Sequence, residues 1–305
     1  MKRSVFPEEG IWLKGNIHSH STVSDGQIAP LDLARLYYEH GYDFLSMTDH
    51  NVIVDHNELP PEKLLLLTGV EHDIGHGPDK CLHVVGTTMA DRNMASYVCR
   101  RYTELELTDQ QMLDMMYADG QFITLAHPIW SRMEPEEVLA LEHFHAIEVY
   151  NNGTERLGHC GYAEAYWDML LRRGKRVFAV ATDDVHGYDD LFGGWICVKA
   201  KERSLEAVLY AIRNGDFFAS NGPTIFDYAI DDSTIFLSST PCREIHFVTY
   251  PPRGSSFYAK EESLLEEASC ELSGRETYVR AVCVDEDGHY AWTNPIYLDI
   301  TRKEQ

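Results

Sequence analysis

Residues 16–26 read Asn16-Ile17-His18-Ser19-His20-Ser21-Thr22-Val23-Ser24-Asp25-Gly26, and they close the apolar run Trp12–Ile17. An extended chain alternates its side chains, so His18 and His20 fall on one face. Two imidazoles on one face are half of a metal site, and Asp25 follows on the loop. The event recurs down the chain. Apolar runs end in Thr48-Asp49-His50, Thr68-Gly69-Val70-Glu71-His72, Ala126-His127-Pro128 and Thr182-Asp183-Asp184-Val185-His186, and Leu82–Val85 carries His83. One histidine at a strand end is ordinarily hydrogen-bonded or solvated. Repetition at successive strand ends is different, because in barrel and open α/β folds those ends form the rim where sites assemble. The reading is a multinuclear metal centre. Its donors are imidazole and carboxylate without thiolate, which suits Mn, Zn or Fe and is too nitrogen-rich for Mg or Ca alone.

Between the strand-like runs lie helical patterns. Strands are expected at Trp12–Ile17, Phe44–Met47, Leu64–Leu67 leading into Val70, Leu82–Val85, Phe122–Leu125, Ala146–Tyr150, Val177–Ala181 and Trp195–Val198. Helices are expected at Pro30–His40, Thr108–Asp119, Pro135–His143, Tyr162–Arg173 and Ser204–Asn214, several of them stopped by a following glycine. This alternation predicts βα units around a parallel sheet or barrel, an α/β fold. After Gly222-Pro223 helical periodicity nearly vanishes. Short runs such as Ile225–Ile230, Thr234–Leu237, Glu244–Tyr250, Thr277–Val284 and Ile296–Ile300, parted by turn residues, predict a small antiparallel, sandwich-like β module. The expected division is 1–222 and 223–305.

The 305 residues include 26 Lys+Arg against 49 Asp+Glu, a net charge of −23. Such a surface repels a phosphate backbone, so no long nucleic acid is expected as partner. A phosphorylated substrate would need its charge offset locally, which metal ions would do. The 15 His stand out, whereas the seven Cys are scattered and free of any CxxC. That argues against a disulfide framework or a thiolate zinc site, and for a reducing compartment. The first ten residues lack the apolar stretch of a signal peptide, and no run approaches the roughly 18 apolar residues of a membrane span. The expected location is the cytoplasm, with no membrane partner.

Taken together, His18-x-His20 with Asp25, Thr48-Asp49-His50, Glu71 with His83, Ala126-His127-Pro128 and Asp184-x-His186 resemble the PHP (polymerase and histidinol phosphatase) family over about residues 11–222. The segments Arg213–Pro223 and Ala291–Ile296 resemble the CehA/McbA-like branch. The resemblance implies a distorted (βα)7 barrel with two or three divalent ions. One would take His18, His20, Glu71 and Asp184. A second would share Glu71 and take His83 and His127. A third would take Asp25, His50 and His186. It also implies hydrolysis of a small phosphorylated metabolite (a nucleotide, sugar phosphate or cyclic phosphate) by a metal-bridging hydroxide held at Glu71. The same centre would serve a carboxyl or carbamate ester, and a non-catalytic binding module is the third reading.

Other residues have local readings. Arg132 is a candidate phosphate clamp, or else a surface arginine. Trp130 can stack on a substrate or simply pack. Arg100-Arg101 reads as a solvated pair. Asn151 and Asn152 are candidates to line the pocket, and Tyr150 to sit in the core. Asp49 and Asp183, beside ligands, are expected to orient imidazoles. Met112, Met115 and Met116 read as helix core, and His246 and His289 as structural. The loops Gly75–Lys80 and Arg92–Leu107 are candidate lids.

Overall fold

The computed structural model describes residues 3–54, 64–75, 79–88, 107–260 and 263–298. Its first part comprises β1 (Arg3–Ser4), β2 (Ile11–Asn16), α1 (Pro30–Glu39), β3 (Phe44–Met47), β4 (Leu65–Gly75), β5 (Cys81–Thr88), α2 (Asp109–Ala118), β6 (Gln121–Leu125), α3 (Pro135–Ala140) and β7 (Ala146–Asn151). It continues through α4 (Asn152–Gly158), α5 (Glu164–Arg172), β8 (Phe178–Thr182), β9 (Trp195–Ala200), α6 (Leu205–Asn214) and β10 (Phe217–Ser220). The remainder is strands: β11 (Ile225–Asp231), β12 (Thr234–Cys242), β13 (Glu244–Tyr250), β14 (Ser255–Tyr258), β15 (Leu265–Glu271), β16 (Tyr278–Val284), β17 (Tyr290–Thr293) and β18 (Ile296–Tyr297).

Local chemistry sets these bounds. Pro30 opens α1, where its missing N–H leaves no bond unmade, and Gly41 at φ +76° ends it. Thr108 and Gln111 form a reciprocal capping box on α2. That helix buries Met112, Leu113 and Met116 but turns Met115 outward at 36% exposure, so two of the three methionines are core. The α3 helix stops at Ala140, short of the expected His143, because Leu141 is extended and His143 takes φ +66°. The unanticipated β15 reads Leu-Glu-Glu-Ala-Ser-Cys-Glu and buries only Ala268. It pairs with β12 alone, and an edge strand of that kind carries little apolar alternation.

The α/β character is as expected, but the strand directions are mixed. The β2–β3–β4 and β6–β7–β8 pairings are parallel, whereas β5 is antiparallel to both β4 and β6, and β9 to β2. Only residues 76–80 separate β4 from β5, too few for the crossover helix that a parallel pair needs. A parallel bridge between Ser19 and Val185 ties the end of β2 to the end of β8. The ends of β2, β3, β4, β6 and β8 thereby face one another.

The sheet then runs on. β10 pairs with β9 on one side and β17 on the other, leading to β16, β13 and β14. A second sheet, β1–β11–β12–β15, packs on these strands through Ile225, Tyr228, Leu237, Ile245, Val279 and Ala291, so two sheets lie face to face, one of them continuous with the first part. Arg280 on β16 crosses the seam to α5. It is fully buried, donates to Glu164 at 2.7 Å and Asp168 at 2.8 Å, and lies 4.6 Å over the Trp167 ring. Removing it would strand two carboxylates against an apolar ring. Arg280→Ala is expected to lower stability by about 3 kcal/mol, read as an earlier midpoint in urea; an unchanged midpoint contradicts this account of the seam.

Candidate metal centre

Strand alternation does what His18-Ser19-His20 requires. Ser19 turns away, its Oγ donating to the Ser46 carbonyl at 2.8 Å and its N–H to Thr48 Oγ1 at 3.1 Å. His18 and His20 turn inward, with Nε2 atoms 3.2 Å apart. Glu71 arrives from β4. Its neighbour strand places His83 on the same face, since Glu71 is opposite Val85 and Asp73 opposite His83. His72 falls on the other face of β4, buried, and burial pushes its imidazole down to about 4. His127 and Asp184 follow β6 and β8 with left-handed backbones, φ +24° and +51°.

Glu71 is the hub. Its Oε2 lies 3.3 Å from His18 Nε2, 3.1 Å from His20 Nε2 and 3.3 Å from His50 Nδ1. Its Oε1 lies 3.1 Å from His83 Nδ1 and 3.2 Å from His127 Nε2. Asp184 Oδ1 lies 3.2 and 3.1 Å from the Nε2 atoms of His18 and His20. Asp25, on the loop, reaches His186 at 3.4 Å and His50 at 3.6 Å through Oδ2, and His20 at 3.6 Å through Oδ1. All nine anticipated residues therefore converge. Potential ligand atoms within 4.8 Å of one another form the groups His18/His20/Glu71/Asp184, His20/Asp25/His50/His186 and His50/Glu71/His83.

The donor chemistry fits cations. His18 Nδ1 is 2.6 Å from Glu148, and His186 Nδ1 is 3.0 Å from the Asp184 carbonyl, so each Nδ1 carries a proton and each Nε2 is the nitrogen left to meet a cation or a second proton. The Nε2 of His18 faces carboxylate oxygens, which are acceptors, and buried Glu71 Oε2 and Asp184 Oδ1 make no hydrogen bond. Protons or cations must fill such a space. Burial pushes the Glu71 and Asp184 carboxyls up, yet the facing imidazoles overcome it and hold both well below the usual range. Burial likewise works against the His18, His20 and His83 imidazoles. Asp184, Glu71 and Glu148 nevertheless hold His18 well above its ordinary value, the Asp184 and Glu71 carboxylates beside it raise His20 to about 9, and Glu71 raises His83 to about 10.

Comparison with known proteins follows the same line. No family profile matches the chain. A two-domain protein from Bacteroides vulgatus containing a predicted PHP-like metal-dependent phosphoesterase superposes with a TM-score of 0.52, covering 95% of this chain and 97% of that one at 18% identity. This chain has a PHP-like fold. A lesion-specific endonuclease from Pyrococcus furiosus matches at 14% identity and a TM-score of 0.46, over 67% of this chain and 56% of that one. In sequence, 77 residues, 24% of this chain, are 34% identical to a 5'-3' exoribonuclease of Haemophilus influenzae, and that stretch spans 28% of the relative.

Around the PHP-like rim, some neighbours act otherwise than expected. Asp49 does not orient an imidazole; it accepts from Ser21 N–H at 2.9 Å and Ser24 N–H at 2.8 Å, bracing the loop that carries Asp25. Asp183 accepts from the Tyr37 hydroxyl at 2.5 Å and from the N–H groups of Phe192 and Gly194, bracing the loop after His186. Both are short carboxylates beside a turn, where backbone N–H groups are the nearest donors. The residue the sequence reading missed is Glu148. It takes His18 Nδ1 and the Thr182 hydroxyl (2.7 Å) on one oxygen, and His127 N–H (2.8 Å) and Asn151 Nδ2 (2.7 Å) on the other. Its signal was a lone charge inside the apolar strand Ala146–Tyr150. Asn151, buried beneath the site, also donates to Asp184 Oδ2 at 3.1 Å.

A cavity of about 710 Å³ opens over the cluster, bounded by Trp130, Arg156, Leu157 and Asp189 besides the candidate ligands other than His18 and His20. Trp130 stands edge-on to His127 and His83, with ring centres 4.9 and 5.6 Å away. Arg156, unremarked in the sequence reading, lines the cavity, whereas Arg132 is exposed and close to Cys160. Arg100 and Arg101 lie outside the described residues, as does most of the two candidate lid loops. His246 pairs with Ser256 and Glu244, and His289 with Asp285, on the C-terminal strands and their turn.

Two measurements follow from this chemistry. Because His18, His20 and His83 hold protons at neutral pH when no cation is present, Mn(II) or Zn(II) uptake should release protons and tighten as pH rises. Calorimetry in two buffers of different ionisation enthalpy reads this, and uptake without proton release contradicts it. Glu148→Gln should weaken metal binding about 10-fold, since the amide cannot serve all four partners; full affinity would remove Glu148 from the support of the site.

Proposed function

We propose that the chain is a metal-dependent phosphoesterase of the CehA/McbA-like PHP branch, with residues 1–222 as the hydrolase and 223–305 as a β-rich companion domain. Its substrate is a small phosphorylated metabolite. What supports this reading most is Glu71, a buried carboxylate with imidazole nitrogens from His18, His20, His50, His83 and His127 within 3.3 Å of its oxygens. In this reading His18, His20, Glu71 and Asp184 hold one divalent ion. Glu71, His83 and His127 hold a second, and Asp25, His50 and His186 a third. Bound there, Mn, Zn or Fe would supply Lewis acidity and make water acidic enough to ionise near neutral pH.

The chain's own residues do the rest. Glu148 and Asn151 hold His18 and Asp184 in place, so little reorganisation is left for the reaction. Trp130 and Leu157 give the cavity apolar flanks for an organic group. Arg156 on the cavity wall, with Arg132 outside it, offers a guanidinium to phosphate oxygens in a chain whose net charge is −23. That charge and a cavity of about 710 Å³ favour a small substrate over a long nucleic acid. The scattered cysteines favour a cytoplasmic location. Among the described residues, no helix is long and apolar enough to cross a membrane.

The test is hydrolysis by Mn(II)-loaded protein beside a chelator-stripped control, read as release of phosphate from nucleotides and sugar phosphates, and as release of phosphomonoester or nucleotide product from cyclic phosphates and short 5'-phosphorylated oligonucleotides. Chelator-sensitive release is expected from one small-molecule class. His20→Ala and Asp184→Ala are expected to lose metal and turnover while keeping the fold by circular dichroism. No release from any compound by metal-loaded protein, or full turnover in either variant, would overturn the proposal.

A further inference from the structure

Two stretches marked in the sequence, Arg213–Pro223 and Ala291–Ile296, carry none of the candidate ligands, yet each supplies part of one structure. Asn221 N–H donates to the Tyr290 carbonyl at 3.0 Å, and Tyr290 N–H donates to Asn221 Oδ1 at 2.6 Å. Asn221 Nδ2 donates to the Tyr162 hydroxyl at 3.0 Å, and the backbone of Tyr162 is bridged to that of Tyr150. The rings of Tyr150 and Tyr162 are 4.7 Å apart, and Tyr162 meets Tyr290 at 5.6 Å and Trp292 at 6.4 Å. Asn221, paired with Tyr290, and Tyr162, packed on Tyr150, thus join the C-terminal strands to the end of β7.

From Tyr150 the bonds turn toward the site. Its hydroxyl donates to Asn152 Oδ1 at 2.9 Å, and Asn152 Nδ2 donates to the Asp190 carbonyl at 2.8 Å. The Asp190 carboxylate accepts from His186 N–H at 3.0 Å and Gly187 N–H at 2.8 Å. Gly193 lets the loop lie on the Asn152 amide, since a Cβ there would stand 2.1 Å from it. Tyr150, Asn152 and Asn221 are all buried. None of the three is among the residues lining the cavity.

We propose that this line of hydrogen bonds and packed tyrosines makes the C-terminal strands part of the site: Asn221, Tyr150 and Asn152 are positioning residues for the turn that carries His186, and they set how tightly the His20/Asp25/His50/His186 group holds a divalent cation. Bonds of this kind behind a ligand fix its orientation, and losing one typically weakens metal binding 10–100-fold. The inference rests on the metal centre proposed above.

The full chain, stripped by chelator, is loaded stepwise with Co(II) and followed by visible absorption and calorimetry. His186→Ala identifies the step belonging to this group by removing it. Tyr150→Phe deletes one hydroxyl and keeps the ring, and Asn221→Ala cuts the line at its far end. Each is expected to weaken that same step by about 10-fold or more and to leave the other steps within about twofold. Melting temperatures taken alongside separate this from a general loosening, which would not single out one step. If Tyr150→Phe and Asn221→Ala, both folded, keep that step within about twofold of the unaltered chain, the line is overturned and the metal centre stands. If the unaltered chain binds no Co(II), both fall together.

Discussion

The molecule is organised around a carboxylate that has no business in an apolar interior. Glu71 is 1% exposed and held in its charged form. Burying an ionised carboxylate without partners costs of order tens of kcal/mol on a simple solvation estimate. Five imidazoles face its oxygens from four different stretches of the chain. Each must be delivered with the right nitrogen forward. Glu148 and Ser131 do this for His18 and His127 by occupying Nδ1. The ends of β2, β3, β4, β6 and β8 meet where they do because this arrangement tolerates no large displacement of any one of them.

That constraint explains what was legible in the sequence. A candidate ligand shows its own side chain, so histidines and carboxylates at or near strand ends could be marked from residue type and position, and the resemblance to the PHP family then separated His18, His20, Asp25, His50, Glu71, His83, His127, Asp184 and His186 from Asp49, His72 and Asp183. The elements beneath them were legible where apolar runs and turn residues agreed, as at Phe44–Met47, which was found as expected. What could not be read was the identity of the supports. Asp49 and Asp183 look like partners for a neighbouring imidazole, but their carboxylates are taken by backbone N–H groups of turns. Glu148 sits in an apolar strand, where its contacts depend on two elements far away in sequence. Arg156 lines the cavity because α4 begins directly at the end of β7, a helix that the run of Asn, Gly and Thr at 151–154 concealed.

The same limit applies to the sheet. Periodicity gives strands but not their direction, and the short 76–80 connection is what turns β5 antiparallel. Once β9 and β10 also run antiparallel, the sheet has an edge to which the C-terminal strands add, so β17 pairs directly with β10. Arg280 and Asn294 then fasten the junction. Asn294 accepts from Ala179 N–H at 3.1 Å on β8 and donates to the carbonyls of Gly215 at 3.0 Å and Phe217 at 3.1 Å.

The left-handed backbones at His127 and Asp184 narrow the chemistry available to this rim. In that region of conformational space, histidine, aspartate and asparagine are over-represented among residues with a side chain, and β-branched or bulky ones are rare. Exchanging aspartate for glutamate at 184 is therefore no conservative change, since it adds a methylene in a packed site and puts a less suitable residue on the turn. Under the proposed metal reading, the backbone at these two places shortens the roster of side chains that can serve as ligands there to little beyond histidine, aspartate and asparagine.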